Sequence, residues 1–258
     1  MPDFHPDRVS FVSSGSPDAE AARGRLTARY GDVGIAKAEV IVALGGDGLM
    51  LQALREVMER HIPVFGMNCG SVGFLMHDFK EPELEERLNA AHETLIRPLC
   101  MIATTHDDKK HERLAFNEVS LLRQRSQAAK LRIKIDGQTR LDEMSADGII
   151  VATPVGSTAY NLSAHGPILP IGAPLLALTP LSVFRPRRWR GAILPNDAKV
   201  RIEILESDKR PVAAVADHDE VRNITCVDVA VDATRGVRML FENGHGLAER
   251  VLSEQFKS

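Results

Sequence analysis

Apolar positions in the first hundred residues follow two periods in alternation. RVSFVSS (8–14) reads as a strand, and SPDAEAARGRLTARYG (16–31) as a helix with Ser16 placed to cap it ahead of Pro17. EVIVAL (39–44) is a second strand, LMLQALREVMERH (49–61) a helix, IPVFGMN (62–68) a third strand and EPELEERLNAAHE (81–93) another helix. Strands alternating with helices predict parallel βαβ units, and therefore an α/β domain over residues 1–97. Val40, Ile41, Val42 and Leu44 form a continuous apolar run, the pattern of a strand covered on both faces.

Beyond Arg97-Pro98 the pattern changes to short alternating or β-branched runs. These are CMIATTH, LAFNEVSLLR, KLRIKIDGQTRL, DGIIVAT, KVRIEILES, PVAAVADH, ITCVDVAVDA and VRMLFEN, with Asp136-Gly137 marking a hairpin turn. Many short strands and few helices predict an all-β antiparallel sandwich over 98–235. The closing GLAERVLSEQFKS is a short amphipathic helix with no place in a sandwich. The segment 236–258 is therefore expected to pack back on the first domain.

Composition narrows the function classes. The chain has 258 residues, 44% hydrophobic and 26% charged, ample for a soluble core. Lys+Arg is 32 against Asp+Glu 35, a net charge of −3 that argues against a general nucleic-acid binder. No apolar run approaches the roughly 20 residues that span a bilayer, so no membrane partner is expected. The start MPDFHPDRVS lacks the basic and apolar regions of a signal peptide. Cys69, Cys100 and Cys226 are odd in number with no CxxC spacing, as expected of free thiols in the cytoplasm and not of a zinc site.

Three segments carry candidate chemistry. Gly45-Gly46-Asp47-Gly48 ends a buried strand, where open α/β sheets collect ligands. Its glycines let backbone N–H groups approach a phosphate, and the helix from about Leu49 adds a partial positive charge. Asp47 would repel a phosphate unless it binds Mg²⁺ or takes a proton from an attacking hydroxyl. No GK[ST] follows, so this is not a Walker A loop, and a plain Asp-Gly turn is the bland alternative. GMNCGSVGFL (66–75) repeats the theme at the end of the next strand, with Asn68, Gly70 and Gly73; two neighbouring strands would bring both loops to one crevice. Phe74 offers a face for a base or a side chain for the core. The third segment, ADGIIVATPVGSTAYNLSAHGPI (146–168), turns at Pro154-Val155-Gly156 into a short helix that Ser157 or Thr158 can cap. Free N–H groups and hydroxyls there suit an anion or a ribose, while a tightly packed structural helix would explain the same small residues.

Asn117-Glu118 set an amide and a carboxylate among apolar neighbours, costly if buried without partners and satisfied by adenine or ribose. A surface pair at a sheet edge is the alternative. VADHDEV (215–221) gathers Asp217, His218, Asp219 and Glu220; a metal site is conceivable by residue type, and a solvated turn is the expected reading. His5, His61, His92 and His111 read as exposed helix-end or loop residues.

Taken in order, GGDG, GxNxGxxGFL, Asn-Glu and DGxIVxTPxGSTAYxLSAxGPI resemble the NAD kinases from about Val40 to Asp219. GGDG alone is shared with phosphofructokinases and lipid kinases, whereas TPxGSTAYxLSA is specific. The resemblance implies a Rossmann-like parallel sheet in the N-terminal domain, a β-sandwich C-terminal domain and a homodimer or homotetramer. It also implies Mg²⁺-dependent transfer of a phosphoryl group from ATP to the adenosine ribose 2′-hydroxyl of NAD, giving NADP. Asp47 would be the general base, with Gly46 and Gly48 near the phosphates and Mg²⁺ held mainly by ATP and not by a protein ligand set. Asn68 would join the dinucleotide contacts, Phe74 would lie near the adenine, and Asn117 and Glu118 would hold the adenosine side. Asp147 would meet the nicotinamide end, and Val155, Thr158, Ala159, Tyr160, Asn161, Leu162 and Ser163 would line the dinucleotide.

Three departures stand out. His165 precedes Gly166 where the family carries a glycine pair in SAGGPI. Ser145 stands where some members carry an arginine near the nicotinamide, which leaves the choice between NAD and NADH open. Asp217-His218-Asp219 replaces a DGQ-like turn, so the ligand place there falls to His218. The short region before Val40 argues against an appended regulatory sequence. A lipid-type kinase sharing GGDG would not explain GSTAYNLSA, and a non-catalytic dinucleotide-binding sensor would not need Asp47.

Overall fold

The computed structural model describes residues 8–70 and 73–242, which divide into two compact units. One is formed by the described residues up to Ile96 and from Arg235 onward, the other by Arg97–Thr234.

In the first unit β1 (Val9–Ser13), β2 (Val40–Gly45) and β3 (Val64–Asn68) lie in parallel, with Val9 opposite Val40 and Val42 opposite Phe65. Two helices make the crossovers, α1 (Pro17–Tyr30) and α2 (Asp47–Val57). The α1 start is fixed by Pro17 and by Ser16, whose hydroxyl accepts the Ala19 amide at 3.3 Å. Met50, Ala53, Leu54 and Val57 form the buried stripe of α2 at helical spacing. Both faces of β2 are covered along its whole length, as its unbroken apolar run requires.

A two-residue β4 (His77–Asp78) extends beside β3, followed by α3 (Leu84–Ala90) and β5 (His92–Ile96). The helix is shorter than the 81–93 expected from periodicity. Glu83 is left-handed (φ 63°) just before it, and Ala91 returns to extended backbone, so HETLI becomes a strand that carries His92.

The second unit is two antiparallel sheets of six strands each. Its strands run β6 (Leu99–Thr105), β7 (Lys110–Ala115), β8 (Glu118–Arg123), β9 (Ala129–Ile135), β10 (Gln138–Ala146) and β11 (Gly148–Ala152). After a four-residue helix α4 (Tyr160–Ser163) come β12 (Leu175–Leu181), β13 (Ala192–Pro195), β14 (Val200–Leu205), β15 (Val212–Ala216), β16 (Asp219–Val221) and β17 (Ile224–Val231). One sheet has the order β10-β9-β14-β17-β6-β7 and the other β13-β12-β11-β8-β15-β16. Their inward residues form one core, with Leu131, Ile133, Ile202 and Val227 from the first sheet and Val119, Leu121, Ile149 and Leu178 from the second. This is the expected sandwich, held by side chains each worth about 1.5–3 kcal/mol on burial. The β9–β10 hairpin turns at Asp136 (φ 51°) and Gly137 (φ 77°), two consecutive left-handed residues that the Asp-Gly pair tolerates. The outer face of β11 is also covered, by Leu169 and Ala177 packed on Ile150 and Ala152.

The segment read as LAFNEVSLLR is not one strand: it breaks at Phe116-Asn117, between β7 and β8. VRMLF is not a sandwich strand either. As β18 (Val237–Phe241) it returns to the first unit, parallel to β3 and antiparallel to β5. The first sheet is therefore mixed, ordered β1-β2-β3-β18-β5, and not purely parallel. Buried His77 ties its centre together: Nδ1 donates to the Gly66 carbonyl at 2.9 Å, Nε2 accepts the Glu242 amide at 3.2 Å, and the ring stacks on Phe65. The closing amphipathic helix expected over 246–258 lies outside the described residues.

Candidate active site

The two glycine loops of the first unit meet at the carboxyl ends of adjacent strands, with Gly45 opposite Asn68 and the Cys69 amide donating to the Gly45 carbonyl at 3.0 Å. A side chain at Gly45 would come within 2.9 Å of Ser14 and Leu49, so this glycine lets the β1 and β2 ends close up. Gly46 then caps α2 with no side chain of its own to serve the first-turn amides. Nothing lies within 4 Å of where a Cβ would stand on Gly46 or Gly48, so the backbone is open there to a phosphate.

Asp47 is the first residue of α2, and its carboxylate is fixed from across the crevice. Oδ2 accepts the Phe74 amide and Oδ1 the Leu75 amide, each at 2.9 Å. Each oxygen keeps a further acceptor direction. Half-buried Phe74 thus takes part through its backbone. Asn68 accepts the Gly70 amide at 3.1 Å, shaping the start of the second loop.

The second unit gathers the other candidates. Asn117 and Glu118 follow the break between β7 and β8, where three consecutive amides turn toward one carboxylate. Asp217 accepts Phe116 N at 2.8 Å through Oδ2, and Asn117 N at 2.9 Å and Glu118 N at 3.2 Å through Oδ1. The Asp217 amide returns a bond to the Glu118 carbonyl at 3.1 Å. From the other side the Thr153 hydroxyl donates to the Phe116 carbonyl at 2.6 Å and accepts the Gly156 amide at 3.1 Å. A Cβ at Gly156 would lie 2.1 Å from the Asn117 carbonyl oxygen, so glycine alone fits.

Glu118 is buried, and its Oε2 has no hydrogen-bond partner among the described residues. Burial and the negative charge of Asp217 push its carboxyl up to about 7. An unsatisfied buried oxygen is costly, and a hydroxyl donor would relieve it. Tyr160 stands nearby on α4, its hydroxyl raised by burial and then by the charges of Glu118 and Asp147. Glu118, Tyr160 and Asp147 therefore share one neighbourhood. Asp147 is already engaged by Arg123, Nε to Oδ1 at 2.5 Å. Ser145 exchanges backbone hydrogen bonds with Arg185, at 2.9 Å and 3.1 Å.

Other expectations need correction. Neither Ser157 nor Thr158 caps a helix: both lie in a 3₁₀ turn, and their hydroxyls donate back to Pro154 O (2.7 Å) and Val155 O (3.3 Å). Asn161 is fully buried, its amide donating to Ser157 O and Pro167 O and accepting from Thr179 Oγ1 at 2.6 Å. With those bonds made, its side chain supports the loop. Val155 is buried, Thr158, Ala159 and Leu162 are half-buried, and Tyr160 and Ser163 are exposed. His165 adopts a left-handed backbone (φ 61°) beside Gly166. At the β15–β16 turn His218 is exposed, while Asp217, read as part of a solvated turn, is the residue that organises the site. No local signal marks Asp217 apart from Asp219 and Glu220, because the amides it gathers lie about a hundred residues earlier in the chain. Among the described residues, no three His, Cys, Asp or Glu side chains are grouped to hold a metal ion.

Comparison with known proteins places this geometry. Residues 12–96 match the family model of the ATP-NAD kinase N-terminal domain, and residues 116–236 that of the ATP-NAD kinase C-terminal domain. The chain is 57% identical over 251 residues to the NAD kinase of Caulobacter vibrioides, covering 97% of this chain and 96% of that one. It is 55% identical over 249 residues to the NAD kinase of Mesorhizobium japonicum, covering 96% and 97%. The fold is similar to yeast NADH kinase solved with NADH (TM-score 0.83, 21% identity, 100% of this chain and 89% of that one). It is also similar to an NAD kinase from Archaeoglobus fulgidus solved with ATP (TM-score 0.77, 23% identity, 97% and 100%).

Proposed function

The chain belongs to the NAD kinase family and phosphorylates NAD, and from that premise we propose that Asp47 is the general base of the reaction. One observation carries this reading: a single carboxylate, held by the Phe74 and Leu75 amides, heads α2 between two glycines open to a phosphate. The ribose 2′-hydroxyl is a weak nucleophile at neutral pH, and a fixed carboxylate that takes its proton as the P–O bond forms lowers the barrier. The first-turn amides of α2 receive the phosphates, and Gly46 and Gly48 keep side chains out of the way. The Phe74 and Leu75 amides donate to the Asp47 oxygens and so offset part of its negative charge beside the incoming anion.

Asn117 and Glu118 hold the adenosine side, where Glu118 Oε2 lacks a donor that a ribose hydroxyl supplies. Tyr160 and Asp147 extend the same surface toward the nicotinamide end, with Thr158, Ala159, Leu162 and Ser163 along the wall and His218 at the turn. Mg²⁺ bound with the triphosphate would supply charge neutralisation at the γ-phosphoryl group, and Asp47 is the carboxylate of this chain placed beside it. The family reading also carries a homodimer or homotetramer and a cytoplasmic setting.

The test is direct. Purified protein incubated with ATP, Mg²⁺ and NAD is expected to form NADP, with turnover lost on chelation and restored by Mg²⁺. Turnover that persists in excess chelator would remove the metal from the scheme. Side-by-side kcat/KM values for NAD and NADH would establish the preference left open by Ser145.

A further inference from the structure

We infer that Asp217 is the positioning residue of the dinucleotide site: its carboxylate gathers the amides of Phe116, Asn117 and Glu118 and so sets where the Glu118 carboxyl points. The inference rests on Glu118 contacting the dinucleotide.

Three consecutive N–H groups converging on one side chain is an anion nest made by the chain for its own use. The nest forms because the strand breaks between β7 and β8, which frees these amides from the sheet ladder. Asp217 reaches them from a strained position, left-handed at φ 54° on the β15–β16 hairpin. Asparagine or glycine would hold such a turn equally well, so the turn alone does not call for aspartate. The nest does, since it offers donors to both oxygens.

The bond from the Asp217 amide to the Glu118 carbonyl closes the arrangement, and register pairing of Ala216 with Val119 continues it into the sheet. Glu118 is thus clamped through its backbone at both N–H and C=O, while its carboxyl is buried with Oε2 unsatisfied among the described residues. The titratable groups that face it among the described residues are Asp217 from the hairpin and the Tyr160 hydroxyl from α4; Asp147 reaches the same hydroxyl. Asp217 therefore acts on Glu118 twice: through backbone geometry and through its charge, which favours the protonated carboxyl.

A purely structural hairpin residue would alter stability, and its charge would move the Glu118 titration, but NAD affinity at a pH where Glu118 is fully protonated would stay where it was. A positioning residue moves the affinity at that pH as well. The experiment measures NAD binding by calorimetry from pH 5.5 to 8.5 in wild type, Asp217→Asn and Glu118→Gln. Asparagine keeps one acceptor oxygen for Asn117 and Glu118 and loses the acceptor for Phe116, together with the charge. Wild type is expected to show a pH-dependent affinity that Glu118→Gln abolishes. Asp217→Asn is expected to weaken NAD binding about tenfold, the scale of one lost charge-assisted bond, and to move the midpoint of the pH dependence downward.

Wild-type affinity retained at the low-pH end in Asp217→Asn would overturn the inference, whatever the midpoint, while leaving Glu118 in place. Indifference of NAD binding to Glu118→Gln would instead overturn the ligand role of Glu118. If Asp217→Asn does not fold, hydrogen exchange on the wild type decides. Protection of the Phe116, Asn117 and Glu118 amides equal to that of neighbouring β8 supports the nest, and free exchange overturns it.

Discussion

Gly73 stands against Asp47: a Cβ added there would lie 2.8 Å from the Asp47 Oδ1 atom that accepts the Leu75 amide. The glycine is required by the carboxylate, and the carboxylate is held by the residues that follow the glycine.

Gly73→Ala therefore forces either Asp47 or the second loop to shift, since the new methyl would also meet Met76 at 2.9 Å. A misplaced base costs turnover far more than affinity, and displacements near 1 Å cost up to about a hundredfold. The expected result is a kcat about ten- to a hundredfold lower with KM for NAD changed less than about twofold. Steady-state kinetics over both substrates checks it. An unchanged kcat would mean that the Asp47–Leu75 contact does not set the reacting geometry.

Glu118 makes stability depend on pH in an unusual sense. Its carboxyl is raised from 4.5 to about 7, so between those values the folded protein binds a proton that the unfolded chain has lost. The sign follows: stability falls as pH rises through that window, by on the order of 3 kcal/mol in all, and levels off above it. Chemical denaturation of the ligand-free protein at several pH values, compared with Glu118→Gln, should show the slope and its disappearance. A glutamine variant with the same slope would assign the effect to other groups.

His165 occupies a left-handed backbone position at φ 61°, which favours glycine. A side chain there costs about 1 kcal/mol relative to glycine. His165→Gly is expected to stabilise the protein by up to about 1 kcal/mol, raising the melting temperature by a few degrees. A destabilised variant would show that the imidazole makes a contact that outweighs the backbone strain.

Much of this molecule was legible in its residue pattern, and the exceptions share a cause. The buried run Val40–Leu44 and the apolar stripe after it are local patterns and formed as read. The helix α2, however, spans Asp47–Val57 in place of the expected 49–61, so Asp47 opens the helix and does not sit in a turn before it. The sandwich was legible from its short alternating runs and from Asp136-Gly137. VRMLF, however, has the same alternation as a sandwich strand; only its pairing with β3 and β5 assigns it to the first sheet. His92 and Glu93 continued a helical pattern that Ala91 interrupts by backbone conformation, which side-chain type does not encode.

Among the site residues, glycine and acid types marked the neighbourhoods, but partners decided the roles. Asn161 looked like a ligand contact until its amide was seen spent on Ser157, Pro167 and Thr179. Asp217 looked like a turn acid because the amides it gathers lie about a hundred residues earlier in the chain.

The central claim, that Asp47 takes the proton from the ribose hydroxyl, is tested most directly by Asp47→Asn. Asparagine keeps the size and one acceptor oxygen but cannot take a proton at neutral pH. The account predicts NAD affinity within about twofold of wild type, measured by calorimetry, and kcat for NADP formation lower by about 10²–10⁴-fold. A variant that binds NAD and still forms NADP at the wild-type rate would contradict it.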